Sequence, residues 1–366
     1  MKKKVYVGMS GGVDSSVVAM MMRDAGYDVT GVFIRTWQPD YIECTWREDR
    51  LDAMRVATAL DIKFETIDLS YEYKKGVIDY MISEYKSGCT PNPDIMCNKE
   101  VKFGAFYKYI KSIDPDAYIA TGHYARIDTI GGNVYSLCKA IDQNKDQVYF
   151  LSQIDKSILS HIMFPLGEMK KSEVRNMARI NNICVSDKKD SQGLCMLGDI
   201  SIKDFLRKEI DLEIRVGKIL NIHNEEIGDH EGAIFYTIGE RISVDSKETN
   251  RYIYYVINKD IDKNIVYVAT SQEREKMNVD AMITNFNSNT FTIKNWNQTS
   301  SIEIKKDEEY KGQTRYHGPI YKFKILEIGT FVKLETLDNY ALIAPGQTLV
   351  LYDGDIMLGG GIIVQN

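Results

Sequence analysis

The chain has 366 residues, of which 44% are hydrophobic and 27% charged, with a formal net charge of −6. Its length predicts two or three domains, and its acidic balance argues against a general nucleic-acid binder while remaining compatible with a local basic site. No apolar run is long enough to span a membrane, and the start MKKKVYVG is not typical of a signal peptide. We therefore expect a cytoplasmic protein with no membrane partner.

The segment Val5–Ser16 predicts an anion site, because a short apolar strand runs through adjacent glycines into an apolar helix. Gly11 and Gly12 let the backbone approach a ligand, and the N–H groups and dipole of a helix N-terminus favour negative charge. Asp14 is expected to hold a metal ion or to orient the loop. No lysine follows the glycines as in the Walker pattern, which disfavours γ-phosphoryl transfer. Hydroxyl donors are Ser10, Ser15 and Ser16. The alternative is a plain turn with Ser or Asp as the N-cap.

Strands and helices then alternate, which predicts a doubly wound parallel sheet with helices on both faces. The predicted strands are 28–34, 63–69 and 117–125, and the predicted helices 51–62 and 73–88. The last strand ends in Thr121-Gly122-His123. Because ligands gather at the carboxyl ends of such strands, we expect Gly122 beside the first loop, where it allows close approach of an adenine or a ribose, or serves only as a turn glycine.

The rest of the chain is predicted to be mainly β-structure, after one more helix. A β-rich stretch covers 134–140 and 147–153, and a helix opens at Ser172 as its N-cap. From about residue 211 short apolar runs alternate with Gly and Asp turns, typical of a small barrel or sandwich. We therefore predict an α/β domain over 1–210, a small central domain over 211–274 and a C-terminal β-barrel over 275–366.

Two cysteine-containing stretches are candidates for further chemistry. In CTPNPDIMCNKEVKF, residues 89–103, two prolines predict an extended loop that presents Asn92, Asp94 and Cys97 together. A lysine and a helix start close to Cys97 would lower the pKa of its thiol. Cys195 lies in a similar loop, DSQGLC. For both cysteines, a buried structural thiol is the alternative.

Eight motifs spread over nearly the whole chain resemble, in the same order, those of the tRNA-specific 2-thiouridylases. That family belongs to the N-type ATP pyrophosphatase superfamily, which cleaves ATP between the α- and β-phosphates. The motifs are GMSGGVDSSV (8–17), TPNPDIMCNKEVKF (90–103), ATGHYAR (120–126), KDQVYFLSQ (145–153), KKDSQGLCMLG (188–198), TRYHG (314–318), APGQ (344–347) and YDGD-x-x-LGGGII (352–363).

The resemblance implies an ATP-dependent transferase that adenylates the C2 oxygen of the wobble uridine and replaces it with sulfur. Cys195 would carry a persulfide, Cys97 would be the nucleophile that resolves it through a transient disulfide, and Asp94 would be a general acid or base. ATP would bind at Gly8, Met9, Ser10, Gly11, Gly12, Val13, Asp14, Ser15, Ile34 and Gly122. The tRNA or its target base would contact Asn92, Pro93, Asp94, His123, Lys145, Asp146, Gln147, Arg315, Tyr316 and Gln347.

The implied cofactor is ATP with Mg²⁺, and the implied partners are tRNA and a persulfide donor, either a cysteine desulfurase or a relay protein. The chain departs from the family where Glu240–Asp245 replaces a Gly-Gln-Arg-Lys-Gly-Leu-Gly run. We therefore expect any difference from the family to lie in how the central domain binds tRNA or a sulfur donor, before any difference in the chemistry. Alternatives are an amidotransferase synthetase, a thiolase of another RNA base or RNA, and a nucleotide-binding regulator. An iron–sulfur cluster on Asp94, Cys97 and Cys195 could also replace the persulfide.

Overall fold

The computed structural model describes residues 2–41, 46–130, 134–189, 200–210, 215–244, 253–273, 290–338 and 343–364. Predictions that concern Cys195 fall outside these residues. The strands are β1 Lys4–Gly8, β2 Asp28–Arg35, β3 Lys63–Asp68, β4 Tyr118–Ala120, β5 Arg126–Ile130, β6 Val134–Cys138, β7 Ile162–Met163, β8 Gly217–Leu220, β9 Glu226–His230, β10 Arg241–Ser243, β11 Ile253–Asp260, β12 Ile265–Thr270, β13 Thr290–Gln298, β14 Glu309–Gln313, β15 Tyr321–Ile328, β16 Phe331–Thr336, β17 Thr348–Asp353 and β18 Ile356–Val364.

The helices lie mainly in the first half of the chain. The α-helices are α1 Val13–Asp24, α2 Trp46–Ala59, α3 Ser70–Tyr73, α4 Tyr80–Lys86, α5 Pro93–Met96, α6 Phe106–Ile113, α7 Lys171–Ile180 and α8 Ile202–Glu209. Two π-helical segments, Lys74–Asp79 and Cys97–Ala105, join α3 to α4 and α5 to α6.

The first sheet is parallel throughout and has the strand order β3-β2-β1-β4-β7. Apolar side chains of α1, α2 and α7 form one core with this sheet, and those of α4, α6 and α8 form a second core. Helices therefore cover both faces, and the prediction of a doubly wound parallel sheet is confirmed. The chain reverses its winding direction between β1 and β4, and ligands bind at such a switch point, beyond the carboxyl ends of the strands.

The remaining strands form two further sheets. The small central sheet has the order β10-β11-β12-β8-β9. In the C-terminal part, strands β13-β16-β15-β14-β17-β18 form a barrel that closes because β13 pairs with β18 as well as with β16. The predicted β-rich centre and C-terminal barrel are confirmed. The β5–β6 hairpin, from the first part of the chain, pairs with β18 through Cys138 and Ile356 and so attaches to the barrel sheet.

Three local predictions are wrong. Residues 148–151 form a 3₁₀ helix instead of a strand, because Phe150 N bonds back to Gln147 O at 3.0 Å. Helix α7 starts one residue before the predicted N-cap Ser172, because the Glu173 carboxylate accepts a hydrogen bond from Lys170 N at 2.7 Å. Residues 93–97 are helical rather than part of an extended loop, for reasons given with the site below.

Candidate active site

The turn between β1 and α1 presents helix amides that carry no side-chain cap. Gly11 has φ +75°, a conformation that disfavours other residues, and Gly12 occupies the N-cap position without a side chain to cap the first turn. The amides therefore face the crevice at the switch point, where the positive end of the helix dipole adds attraction for an anion. The turn has the chemistry of a phosphate-binding loop, as predicted.

The glycine loop is held by close backbone packing on two sides. A Cβ on Gly11 would lie 2.2 Å from the Asp49 carbonyl oxygen of α2. A Cβ on Gly122 would lie 2.9 Å from Ser15 N, so the segment after β4 presses directly against the start of α1. The expected position of Gly122 beside the first loop is confirmed. Its lack of a side chain is required for contact between two protein loops.

The three serines of the loop differ in what they offer a ligand. Ser16 is fully buried and donates its hydroxyl to Gly12 O at 2.7 Å, so it is not an outward-facing donor as the sequence suggested. The Ser15 hydroxyl is also buried and accepts a hydrogen bond from Ser10 N at 3.1 Å. Ser10 is exposed. It is therefore the serine best placed to contact a phosphate.

Asp14 orients the loop through two partners that the sequence analysis missed. Lys171 Nζ, on the first turn of α7, lies 2.7 Å from each carboxylate oxygen of Asp14. The Tyr124 hydroxyl donates to Asp14 Oδ1 at 3.0 Å. Asp14 thus binds a cation at the phosphate loop, and in this structure the cation is a lysine. In the sequence, the only indication of this pairing was that Lys171 stands one residue before the predicted N-cap Ser172.

The other residues expected at the nucleotide are on or beside the central strands. Met9 is buried, and its amide donates to Val32 O at 2.8 Å, which joins the loop to β2. Ile34, near the end of β2, is half-buried and pairs in register with Ile67 of β3. Gly8 ends β1, and Val13 begins α1 with a buried side chain. These residues lie at or near the carboxyl ends of β1 and β2, the edge of the sheet where ligands of this fold bind.

The segment with Asn92, Pro93 and Asp94 begins a helix, which corrects the prediction of an extended loop. Asn92 caps α5 by accepting from Ile95 N at 3.1 Å, and Pro93 occupies the first turn, where its lack of an N–H costs nothing. Cys97 is consequently placed in a helical segment, with its side chain fully buried in an apolar core. It lies three residues after the half-buried Asp94.

Gln347 connects the barrel to this segment. Its Nε2 donates to Thr90 O at 2.7 Å, and Thr90 N donates to Pro345 O at 2.9 Å. Gly346, at φ +87°, packs so closely that a Cβ would lie 2.7 Å from Thr90 N. The barrel loop therefore determines the position of the chain that leads into Asn92.

Three residues expected to contact tRNA make contacts within the protein. The His123 ring is buried between Phe103 and Phe164, and burial, followed by nearby Lys102, lowers its pKa well below the ordinary value. The Gln147 side chain accepts from Tyr124 N at 3.1 Å. The half-buried Asp146 accepts from Ala140 N at 2.8 Å, and burial raises its pKa. Lys145, beside them, is half-buried.

Arg315 and Tyr316 lie at the edge of the barrel next to the first domain. Arg315 is exposed, and its carbonyl accepts from Gly318 N at 3.0 Å in a tight turn. The Tyr316 ring lies 4.3 Å, centroid to centroid, from Phe150, which the sequence analysis did not single out. A guanidinium beside a supported aromatic ring is suited to phosphate pairing and base stacking.

The residues of the phosphate loop fit the phosphates of ATP. The uncapped amides, the exposed Ser10 and the crevice at the switch point suit a triphosphate. Within the described part of the chain, no group of three His, Cys, Asp or Glu side chains could hold a metal ion.

Among these same residues, no helix combines the length and apolarity needed to cross a membrane.

A doubly wound sheet with an uncapped glycine loop at its switch point defines an ATP-binding enzyme of the pyrophosphatase-loop class. Family models for the tRNA methyl transferase HUP domain, the tRNA methyl transferase PRC-barrel domain and the aminomethyltransferase β-barrel domain match residues 3–199, 203–270 and 288–363. The chain is 37% identical to the tRNA-specific 2-thiouridylase MnmA of Streptococcus thermophilus, with 100% of this chain and 96% of that protein covered.

A second relative supports the same assignment. The tRNA-specific 2-thiouridylase MnmA of Listeria monocytogenes is 38% identical, with 98% of this chain and 94% of that protein covered. The chain belongs to the tRNA-specific 2-thiouridylase family, and the resemblance of its motifs is confirmed, as is its prediction as an enzyme. Among solved structures, NMN synthetase from Francisella tularensis matches with a TM-score of 0.35 and 18% identity, covering 56% of this chain and 71% of that one.

Proposed function

We propose that the protein uses ATP and a cysteine persulfide to convert the wobble uridine of tRNA to 2-thiouridine. The observation that carries the proposal is full-length membership of a 2-thiouridylase family together with an open phosphate loop at the switch point. The phosphate loop supplies the means of activating a carbonyl oxygen. Membership of the family supplies the substrate class.

In the first step, the uridine C2 oxygen attacks the α-phosphorus of ATP and pyrophosphate leaves. The α1 amides and Ser10 would stabilise the charge on the phosphates. Lys171 contributes by cancelling the charge of Asp14, which would otherwise repel the phosphates beside the loop. Mg²⁺ bound to ATP would neutralise further charge, and the adenylated oxygen becomes a good leaving group.

In the second step, the terminal sulfur of a Cys195 persulfide attacks C2 and AMP leaves with the former C2 oxygen. The Cys97 thiolate then attacks the Cys195 Sγ, the sulfur–sulfur bond of the persulfide breaks, and the thiocarbonyl forms on the base. The resulting Cys97–Cys195 disulfide requires two electrons from a thiol reductant before the next turnover. Asp94, three residues before Cys97, would move protons at the base.

The tRNA is proposed to lie across the first domain and the barrel. Gln347 supports this arrangement because it ties the barrel loop to Thr90, just before the proposed base-binding residues. Arg315 and Tyr316 would provide phosphate and stacking contacts at the same boundary. In this proposal His123 and Gln147 shape the site by packing and do not contact RNA directly, which differs from their expected role.

The experiment is a tRNA assay that follows pyrophosphate and modified nucleosides together. Purified protein is incubated with ATP, Mg²⁺, unmodified tRNA, inorganic polysulfide and dithiothreitol. We expect tRNA-dependent pyrophosphate release and 2-thiouridine detected by mass spectrometry of the nucleosides. Pyrophosphate release with a thiolated nucleoside other than 2-thiouridine would indicate the alternative RNA base. A complete absence of tRNA-dependent release would refute the proposal. The sulfur donor and the cytoplasmic location remain predictions.

A further inference from the structure

Lys188 contacts the phosphate loop from outside the parts of the site described above. Its Nζ donates to Gly11 O at 3.1 Å and lies 2.7 Å from Asp49 Oδ1 and 2.8 Å from Asp52 Oδ2. Burial lowers the pKa of Lys188, but the hydrogen bonds to the two aspartates outweigh it and hold the pKa above its ordinary value. The ammonium is therefore charged and joins the loop to the first turns of α2.

The backbone of Lys188 is held as firmly as its side chain. Arg175, on α7, donates to Lys188 O at 3.2 Å and to Ser186 O at 3.3 Å. The same helix carries Lys171, which binds Asp14. The stretch 171–188 therefore contacts both ends of the phosphate loop. Lys188 binds the Gly11 carbonyl, and Lys171 binds the Asp14 carboxylate.

Lys188 also lies seven residues before Cys195, the proposed carrier of the transferred sulfur. Seven residues span at most about 25 Å, so the anchor at Lys188 restricts the volume that Cys195 can reach. Because Lys188 is anchored at the phosphate loop, the region that Cys195 can reach is centred near the place where the adenylate forms. The contact with the Gly11 carbonyl ties this anchor to the phosphate loop itself as well as to Asp49 and Asp52.

We propose that Lys188 is a positioning residue that couples adenylation at the phosphate loop to sulfur delivery by Cys195. The inference rests on the proposed function. In the coupled reaction, the adenylated C2 meets the persulfide and AMP leaves as the carbon–sulfur bond forms. When the sulfur is misplaced, water attacks C2 instead, and AMP leaves with the former C2 oxygen while uridine is regenerated. ATP is then converted to AMP and pyrophosphate without thiolation.

The test measures the ratio of pyrophosphate released to 2-thiouridine formed in the tRNA assay with polysulfide. Lys188→Met is compared with the parent, with Lys188→Arg and with Lys189→Met, which changes the adjacent exposed lysine. We expect the ratio to rise roughly tenfold in Lys188→Met, since displacing a reacting group by ~1 Å can cost ~10²-fold in rate. Lys188→Arg should restore part of the coupling, and Lys189→Met should match the parent.

The ratio of pyrophosphate to 2-thiouridine does not depend on how much of the enzyme is folded. A purely structural role of Lys188 would therefore lower both products and leave the ratio unchanged. Equal losses of pyrophosphate and 2-thiouridine in Lys188→Met, with an unchanged ratio, would overturn the inference. A raised ratio shared by Lys189→Met would also overturn it, because the effect would not be specific to the loop contact. A parent enzyme that makes no 2-thiouridine would refute the proposed function, and the inference with it.

Discussion

Lys171 Nζ lies 2.7 Å from both carboxylate oxygens of Asp14, and this contact joins the start of α7 to the start of α1. The lysine side chain is largely buried and the Asp14 side chain is partly exposed. The ion pair is neutral overall, so the Lys171 ammonium cancels the charge of Asp14 in a loop that lacks the lysine of a Walker motif. It also explains why an acid is tolerated in a loop built to bind an anion.

Replacing Lys171 with Met is expected to reduce tRNA-dependent pyrophosphate release by about 10²-fold or more, because Asp14 would be left as an uncompensated charge beside the phosphates. Affinity for tRNA, measured by filter binding, should change little. Lys170→Met is the matched control, since this neighbouring lysine is exposed. Equal activity of the Lys171 and Lys170 variants would show that the Asp14 contact does not serve adenylation.

Gly11 and Gly26 both have positive φ, and comparing their alanine variants distinguishes the cost of backbone strain from the cost of a steric clash. Gly11 at φ +75° would place a Cβ 2.2 Å from a carbonyl oxygen, whereas Gly26 at φ +86° has nothing within 4 Å of that position. Gly26→Ala should cost about 1–2 kcal/mol in the free energy of unfolding. Gly11→Ala should cost more and should weaken ATP binding as well. Urea unfolding and ATP titration of both variants check this, and similar costs in the two would contradict the packing argument.

Replacing Arg315 with Ala is expected to weaken tRNA binding and to lower the salt slope of its affinity by about one unit, as for the loss of one phosphate contact. Pyrophosphate release at saturating tRNA should be retained. Lys333→Ala serves as the control, because it removes an exposed charge from strand β16 of the same barrel. An Arg315 variant whose slope and affinity equal those of the control would exclude this arginine from the RNA interface.

The proposed disulfide gives a prediction about the cysteines. After one turnover without reductant, peptide mapping should find a Cys97–Cys195 bond, which requires Cα atoms within roughly 4.4–6.8 Å of each other at that stage. Cys195→Ser should lose sulfur transfer but keep adenylation. Cys138→Ser is a buried control, since burial raises the pKa of that thiol to about 12, and Cys184→Ser is an exposed control. Oxidation confined to the control cysteines would refute the assignment.

The buried His123 predicts a loss of stability in acid. Because burial, followed by Lys102, holds its folded pKa well below 6.5, the unfolded chain binds a proton at a higher pH than the folded protein does. The free energy of unfolding should therefore fall as the pH drops below about 6.5. His123→Gln should reduce this fall, measured by urea unfolding at about pH 7 and about pH 5. An unchanged fall would be inconsistent with a buried neutral imidazole. His223→Gln, at an exposed turn, is the control and should leave it unchanged.

The sequence by itself determined the phosphate loop, the parallel sheet and the barrel, because each rests on local features. Adjacent glycines, alternating strands and helices, and period-two apolar runs depend on backbone conformation and on which face is buried. The motif order over nearly the whole chain was also readable from sequence, and it indicated the family. Local reasoning failed at Asn92 and Pro93, where a side-chain cap started a helix in place of an extended loop.

Only the tertiary structure decided which charges meet at the loop. Asp14 and Lys171 are 157 residues apart, and Gly11 and Lys188 are 177 apart, so no local pattern could pair them. They meet because α7 packs against α1 on one face of the sheet. Two other cores bury the Cys97 side chain, for which the sequence left a buried thiol as the alternative, and the His123 ring, which lies between Phe103 and Phe164. Burial and long-range pairing follow from how whole elements fill a core, and a residue's neighbours in sequence do not specify that.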